Sequence, residues 1–288
     1  NYLERGGKRA IGMWHRRAGK DDVLLNWAAV SAVTRPASYW HALPEYSQCR
    51  KAIWTAVDPQ TGVRRIDQAF PAEIRENFNE AEMFIRFKNG STWQLVGSDR
   101  YNSLVGAGVA GVAFSEFALA NPSAWGYIRP MVEANNGWAA FISTPRGRNH
   151  FKDLFEMAKR TPSWFAESLS INDTGALTPL QIEEAIAEYI ALYGEDIGRA
   201  QFEQEYMVSF NAAILGSFYA REMLAVRGEG RIDPELQAEA REVHRAWDIG
   251  VRDDTTIWWF QVVGGQVYIL DCYSANGVGV DHYAEVIE

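Results

Sequence analysis

Cysteine is scarce: Cys49 and Cys272 are the only two in 288 residues. They lie far apart and neither has a metal-like neighbourhood, which excludes a disulfide scaffold and points to buried thiols in a reducing compartment. Long hydrophobic runs are missing too. No stretch reaches the roughly 18 apolar residues of a membrane span, and no signal peptide is expected ahead of the first strand. Positive charge is in deficit, with 28 Lys and Arg against 37 Asp and Glu and a net charge of −9. That balance argues against nonspecific adhesion to DNA, whose affinity comes mostly from phosphate neutralisation, but leaves a DNA enzyme open. His15, His41, His150, His244 and His282 lack metal-ligand spacing, and no G-x-S-x-G elbow occurs, so the histidines are expected to give no competing site.

Apolar residues make up 47% and aromatics 13%, enough for burial to offset chain entropy, and the length accommodates two modest domains. The first ~160 residues alternate strand and helix patterns, which predicts a mostly parallel sheet covered on both faces. Residues 83–88 and 91–96 flank Asn89-Gly90, a two-residue hairpin signal expected to add antiparallel strands. A strand over 138–142 leads through Ser143-Thr144-Pro145-Arg146-Gly147-Arg148-Asn149 into a helix capped by Asn149. Thr178-Pro179-Leu180-Gln181 is a capping box, and Ile182, Ile186, Tyr189, Ile190 and Tyr193 form a stripe expected to be core. The expected organisation is a first domain over 1–212 with a helical linker subdomain at about 161–212, a linker over 213–243 rich in Gly, Glu and Arg, and a second domain over 244–288. The last opens with a strand at 246–250 and a hairpin of residues 255–263, Gly264-Gly265 and residues 266–273.

The loop Arg16-Arg17-Ala18-Gly19-Lys20-Asp21 stands between an apolar strand pattern and a helix pattern, the context of a phosphate-binding P-loop. In G-x-x-x-x-G-K-[ST], backbone N–H groups cradle phosphates, the lysine reaches the outer phosphates and the hydroxyl holds Mg²⁺. Gly19 and Lys20 fit, whereas Trp14 replaces the first glycine and Asp21 the hydroxyl. Gly111 to Glu116 has the shape of the second ATPase element, an apolar strand ending in acids, with Glu116 as base and Ser115 where an Asp is expected. The two departures offset each other, so Asp21 is expected to ligate or orient Mg²⁺ with Ser115 in the complementary position. Ser143-Thr144-Pro145 ends the next strand with hydroxyls suited to sensing a γ-phosphate. Asp248-Ile249-Gly250, with Asp253-Asp254 close behind, is how an RNase H-like nuclease begins a two-metal site; Asp248 and Asp254 are the candidate ligands, and Asp271, ending a strand, is expected to be structural. Singly, each motif also has a plain reading as a solvated loop, a helix cap or a turn.

In this order and spacing, His15 to Asp22, Gly111 to Glu116, Ile142 to Asn149 and Trp247 to Trp259 resemble the large terminase subunits, the DNA-packaging motors of tailed bacteriophages, over essentially the whole chain. The resemblance implies an α/β fold: a P-loop (RecA/ASCE-like) ATPase with a mostly parallel sheet, followed by the start of an RNase H-like nuclease domain. It implies ATP-driven translocation of double-stranded viral DNA into procapsids and metal-dependent cleavage of concatemers. Arg16, Arg17, Ala18, Gly19, Lys20, Asp21 and Asp22 would then bind ATP, with Arg16 or Arg17 as the loop arginine. Glu116 would be the base, Ser143 and Thr144 the coupling residues, and Asp248 the first nuclease carboxylate. Implied cofactors are ATP with Mg²⁺, and Mg²⁺ or Mn²⁺ for the nuclease. Implied partners are double-stranded DNA, the portal protein, the small terminase subunit and further copies in a ring on the procapsid, with no membrane, in the host cell cytoplasm and transiently at the portal vertex. The adenine-contacting segment is expected upstream and the remaining nuclease acids beyond Glu288, so residues 1–288 alone are expected not to be a competent nuclease. Val105 holds the place where a trans-acting arginine finger is sought. Two other readings stay open: a helicase or remodelling ATPase with a second RecA-like domain after residue 210, and an inactive ATPase serving as a scaffold.

Overall fold

Residues Val109–Phe114 and Trp138–Ser143 are buried at every position, which only a strand covered on both faces allows. In the computed structural model, which describes residues 2–104, 108–210, 219–233, 235–250 and 254–287, they lie in the interior of a mostly parallel sheet. Val105, Asp253 and residues 213–218 of the expected linker fall outside those described. The chain divides into two units, Asn1–Ala220 and Arg221–Glu288.

In the first unit, β1 (Arg9–Trp14), α1 (Lys20–Thr34), β2 (Ser38–Leu43), α2 (Tyr46–Cys49) and α3 (Arg65–Ala69) precede β3 (Arg75–Asn79), β4 (Phe84–Phe87) and β5 (Thr92–Gly97). Then come β6 (Val109–Phe114), α4 (Ser123–Ala134), β7 (Trp138–Ser143), α5 (His150–Arg160), β8 (Trp164–Leu169), α6 (Ile171–Thr174), α7 (Pro179–Tyr193) and α8 (Glu195–Tyr206). The sheet order is β3-β4-β5-β2-β6-β7-β1-β8, parallel from β5 to β8, with β3 and β4 joined antiparallel. Alternation of side chains splits the core between the two faces. One cluster joins Leu24, Leu25 and Ala28 of α1 to Trp93 and Trp138; the other joins Ile11, Met13, Phe114 and Phe141 to Ile128 of α4 and Phe155 of α5. Because β7 lies between β1 and β6 and all three run the same way, the residues that follow them emerge at one edge of the sheet.

The Asn89-Gly90 hairpin forms with three loop residues rather than two. Phe87 N–H donates to Ser91 O at 2.9 Å, and Gly90 takes the left-handed conformation at φ 89°. Asn89 Nδ2 donates to Ala32 O at 2.7 Å, so this side chain fastens the hairpin to α1. The capping box at Thr178 and Gln181 is present, but the stripe on α7 is not core: none of its residues is fully buried. Tyr189 packs on Phe202 and Tyr206 of α8, and this two-helix hairpin leaves Leu180 and Leu192 in solvent.

Helix α9 (Ala220–Gly228) lies within the segment expected as linker, and β9 (His244–Asp248), β10 (Thr255–Val263), β11 (Gln266–Ala275) and α10 (Val280–Ile287) follow. The strands pair antiparallel in the order β11-β10-β9, with Gly264 and Gly265 turning the hairpin at φ 59° and 81°. Strand β11 continues to Ala275, so Asp271 lies in mid-strand opposite Trp259 rather than at a strand end. Cys49 is buried, but Cys272 is exposed: it pairs with Trp258, one residue out of phase with Tyr273, whose ring meets α10.

Candidate functional site: the carboxyl edge of the parallel sheet

Gly19 ends the loop after β1 in the left-handed conformation (φ 74°), where a Cβ would be strained, and so turns the chain into α1 at Lys20. Lys20 is buried, and its Nζ donates to Trp14 O (3.3 Å), His15 O (3.0 Å) and Thr144 Oγ1 (3.1 Å). One ammonium thus joins the loop after β1 to the end of β7. Burial lowers the Lys20 pKa, opposed by the charges of Glu116 and Asp21. The loop is anchored on its other side, His15 N–H donating to Leu169 O and Arg16 N–H to Glu205 O, both at 2.9 Å. Ala18 N–H reaches back to His15 O at 3.4 Å, and Arg17 between them takes φ 65°.

Glu116 follows β6 in a left-handed conformation (φ 49°) that costs a non-glycine residue about 1 kcal/mol or more. The next loop is pinned in compensation. Asn149 Nδ2 donates to Ala118 O (2.8 Å), Ala118 N–H donates to Ser143 Oγ (3.2 Å), and His150 Nε2 donates to Phe117 O (2.7 Å). The Glu116 Oε2 atom is buried and has no hydrogen-bond partner among the described residues. Desolvation raises the Glu116 pKa above the usual glutamate value, against the pull of Lys20.

Asp21 Oδ1 accepts from His41 Nε2 at 3.1 Å, and the Ser115 hydroxyl also bonds this carboxylate. Burial disfavours the charge, yet His41, Ser115 and Lys20 together hold the Asp21 pKa below its ordinary value. His41 is fully buried on β2 and corrects the expectation that the histidines contribute nothing here. Metal-ligand spacing gives no reason to choose it. The available signal was an ionisable side chain inside an apolar strand, which needs a partner. Replacing His41 by Leu is expected to strip Asp21 of that partner and cost about 1–3 kcal/mol, read as a lower thermal midpoint. An unchanged midpoint contradicts this role.

Sequence reasoning also missed Glu205 on α8. Its Oε2 accepts from Arg16 Nε at 2.7 Å, and its Oε1 from Arg146. Asp22 stands apart from this cluster and pairs with Arg65 of α3 at 3.5 Å. Beside Lys20, a cavity of about 670 Å³ opens over the α1 face of the sheet, lined by Tyr2, Leu3, Trp14, Val23 and Trp27 among others.

In the second unit, Asp248 lies opposite Thr256 and Thr256 opposite Ser274, whose hydroxyl donates to Asp254 Oδ2 at 2.9 Å. Both candidates therefore belong to one cross-strand row, and Asp271 lies out of phase with it. Among the described residues no group of three or more His, Cys, Asp or Glu comes together to hold a metal.

No family model matches the chain. In sequence it is 28% identical over 192 residues to the large terminase subunit of Escherichia phage T5, covering 64% of this chain and 41% of that protein. It is 29% identical over 168 residues to the large terminase subunit of Thermus virus P23-45, covering 53% and 34%. The chain is a relative of the phage large terminase subunits. It spans less than half the length of these terminases. The large terminase ATPase domain of Thermus phage P74-26 matches with a TM-score of 0.54 at 24% identity, over 71% of this chain and 89% of that one. The large terminase of another thermophilic bacteriophage, solved in complex with ADP, matches with a TM-score of 0.57 at 16% identity, over 98% and 68%. The mixed α/β fold with its large, mostly parallel sheet is that of terminase ATPase domains.

Proposed function

We propose that the first unit is the ATPase of a phage DNA-packaging motor, which hydrolyses ATP to move double-stranded DNA into a procapsid. The observation that carries this reading is the meeting of Lys20, Thr144 and Glu116 at the ends of three neighbouring parallel strands. Lys20 offers a fixed cation, and the start of α1 offers backbone N–H groups, to the outer phosphates. The partnerless Oε2 of Glu116 is placed to accept a proton from an attacking water. Thr144, bonded to Lys20, and Ser143, bonded to the loop after Glu116, form a route from phosphate loss to the β7–α5 segment. The apolar cavity beside Lys20 has a volume suited to a nucleobase. A calorimetric titration with ATP and Mg²⁺ tests the reading: binding is expected, and its absence leaves only the scaffold alternative.

Asp21 and Ser115 fit a hard cation, because a carboxylate and a hydroxyl already stand in contact, and Mg²⁺ takes one or two protein oxygens beside phosphates. When bound, Mg²⁺ supplies charge neutralisation of the phosphates. If the two residues have exchanged roles, Asp21→Ser combined with Ser115→Asp is expected to recover ATP turnover above either single change. Turnover no better than in the singles contradicts the exchange.

The three antiparallel strands of the second unit speak for a packaging enzyme over a helicase with a second RecA-like domain. Asp248 and Asp254 do not by themselves fit a two-metal centre, so concatemer cleavage is proposed only for a site completed by further acids. Mn²⁺-dependent plasmid nicking that survives Asp248→Ala would remove Asp248 from it. Portal protein, small subunit, a ring of copies and a place in the host cytoplasm are proposals on the same footing, which co-purification with procapsids would check.

A further inference from the structure

Glu205 lies on the last turn of α8 with 6% of its side chain exposed, and each of its carboxylate oxygens takes a different arginine. The neighbouring backbone contacts point the same way. Glu205 O accepts from Arg16 N–H at 2.9 Å and Gln204 Oε1 from Gly147 N–H at 3.1 Å, so one helical turn is tied to two loops. Those loops are the one that runs into Lys20 and the β7–α5 segment that begins with Thr144. Burial disfavours the Glu205 charge, but Arg16 and Arg146 outweigh it and hold its pKa below the usual range.

The two arms differ. The Arg16 side chain is 54% exposed and that of Arg146 23%, so Arg16 is the arm free to swing while Glu205 stays fixed. A buried carboxylate that loses its sole cation is strongly destabilised. Glu205 has two, and losing Arg16 leaves it paired with Arg146, which makes the exchange reversible. A phosphate beside Lys20 would offer the guanidinium an anion equivalent to the carboxylate it leaves. Resting on the ATPase reading above, we infer that Glu205 is a positioning residue acting as a latch: it holds Arg16 against α8 until a terminal phosphate of a nucleoside triphosphate takes the guanidinium. Arrival of phosphate thereby loosens α8 from the loop after β1 and keeps it fastened to the β7–α5 segment.

The test is calorimetric ATP binding by the full chain and three variants with verified cooperative melts. Engagement of Arg16 by Glu205 lowers apparent affinity by the fraction engaged, so Glu205→Gln is expected to tighten ATP binding about five-fold and Glu205→Asp to stay within about two-fold of wild type. Arg146→Met leaves Glu205 wholly to Arg16 and is expected to weaken binding about three-fold. A Glu205 that merely props up α8 gives unchanged or weaker binding in Glu205→Gln, and that result overturns the latch. Should Glu205→Gln not fold, Arg146→Met decides: unchanged or tighter binding overturns the latch. A wild-type protein that binds no ATP removes the ATPase reading itself, and the latch with it.

Discussion

Glu116→Gln is expected to cut kcat for ATP hydrolysis by roughly 10²–10⁴-fold, the usual contribution of a positioned general base. Glutamine keeps the shape at this position but cannot take a proton from water. ATP binding should persist, because Gly19 and Lys20 are untouched. The same change is expected to stabilise the fold. Desolvation raises the Glu116 pKa, so the folded protein holds this proton more tightly than the unfolded chain does. Stability therefore falls as pH rises from the unfolded pKa through the folded one, and above the folded pKa the penalty is present in full. A neutral amide removes it. A gain of about 1 kcal/mol would raise the thermal midpoint by ~2–4 °C. The acid limb of the kcat–pH profile should lie above the ordinary glutamate range, since the base works only when deprotonated. A normal rate in the variant would remove Glu116 from the chemistry.

Lys20→Met is expected to fail in the opposite pattern, losing both binding and stability. A charge-assisted hydrogen bond to phosphate is worth about 1.5–3 kcal/mol, so ATP affinity should drop roughly 10- to 150-fold. Trp14 O, His15 O and Thr144 Oγ1 also lose a shared donor. That loss costs about 1–3 kcal/mol, lessened because the buried ammonium is itself disfavoured. Calorimetry and thermal denaturation of the same preparation read both effects. Wild-type affinity in Lys20→Met would contradict the placement of phosphates at this edge.

The fold was legible where a signal is local. The apolar runs that became β6 and β7, the capping box at Thr178 and the Gly264-Gly265 turn depend on residues within a few positions of one another. The half-buried stripe of α7 was misread because helical spacing reports an apolar flank and not how much of it a neighbour covers; only α8 packs on it, leaving it half-buried. At the site, the loop around Gly19-Lys20 and the end of β6 carry recognisable motifs, but their supports do not. His41 reaches Asp21 across 20 residues and Glu205 reaches Arg16 across 189, and nothing in the spacing of either pair marks it. The exchange of carboxylate and hydroxyl between Asp21 and Ser115 was visible as two motif departures, and the fold puts the pair in hydrogen-bond contact.

The most direct measurement is phosphate release from ATP and Mg²⁺ by the wild-type protein, with and without duplex DNA. A packaging ATPase built on Lys20, Thr144 and Glu116 is expected to hydrolyse ATP and to do so faster on DNA, with both rates lost in Glu116→Gln. Hydrolysis indifferent to DNA, or none above background in wild type, would contradict it.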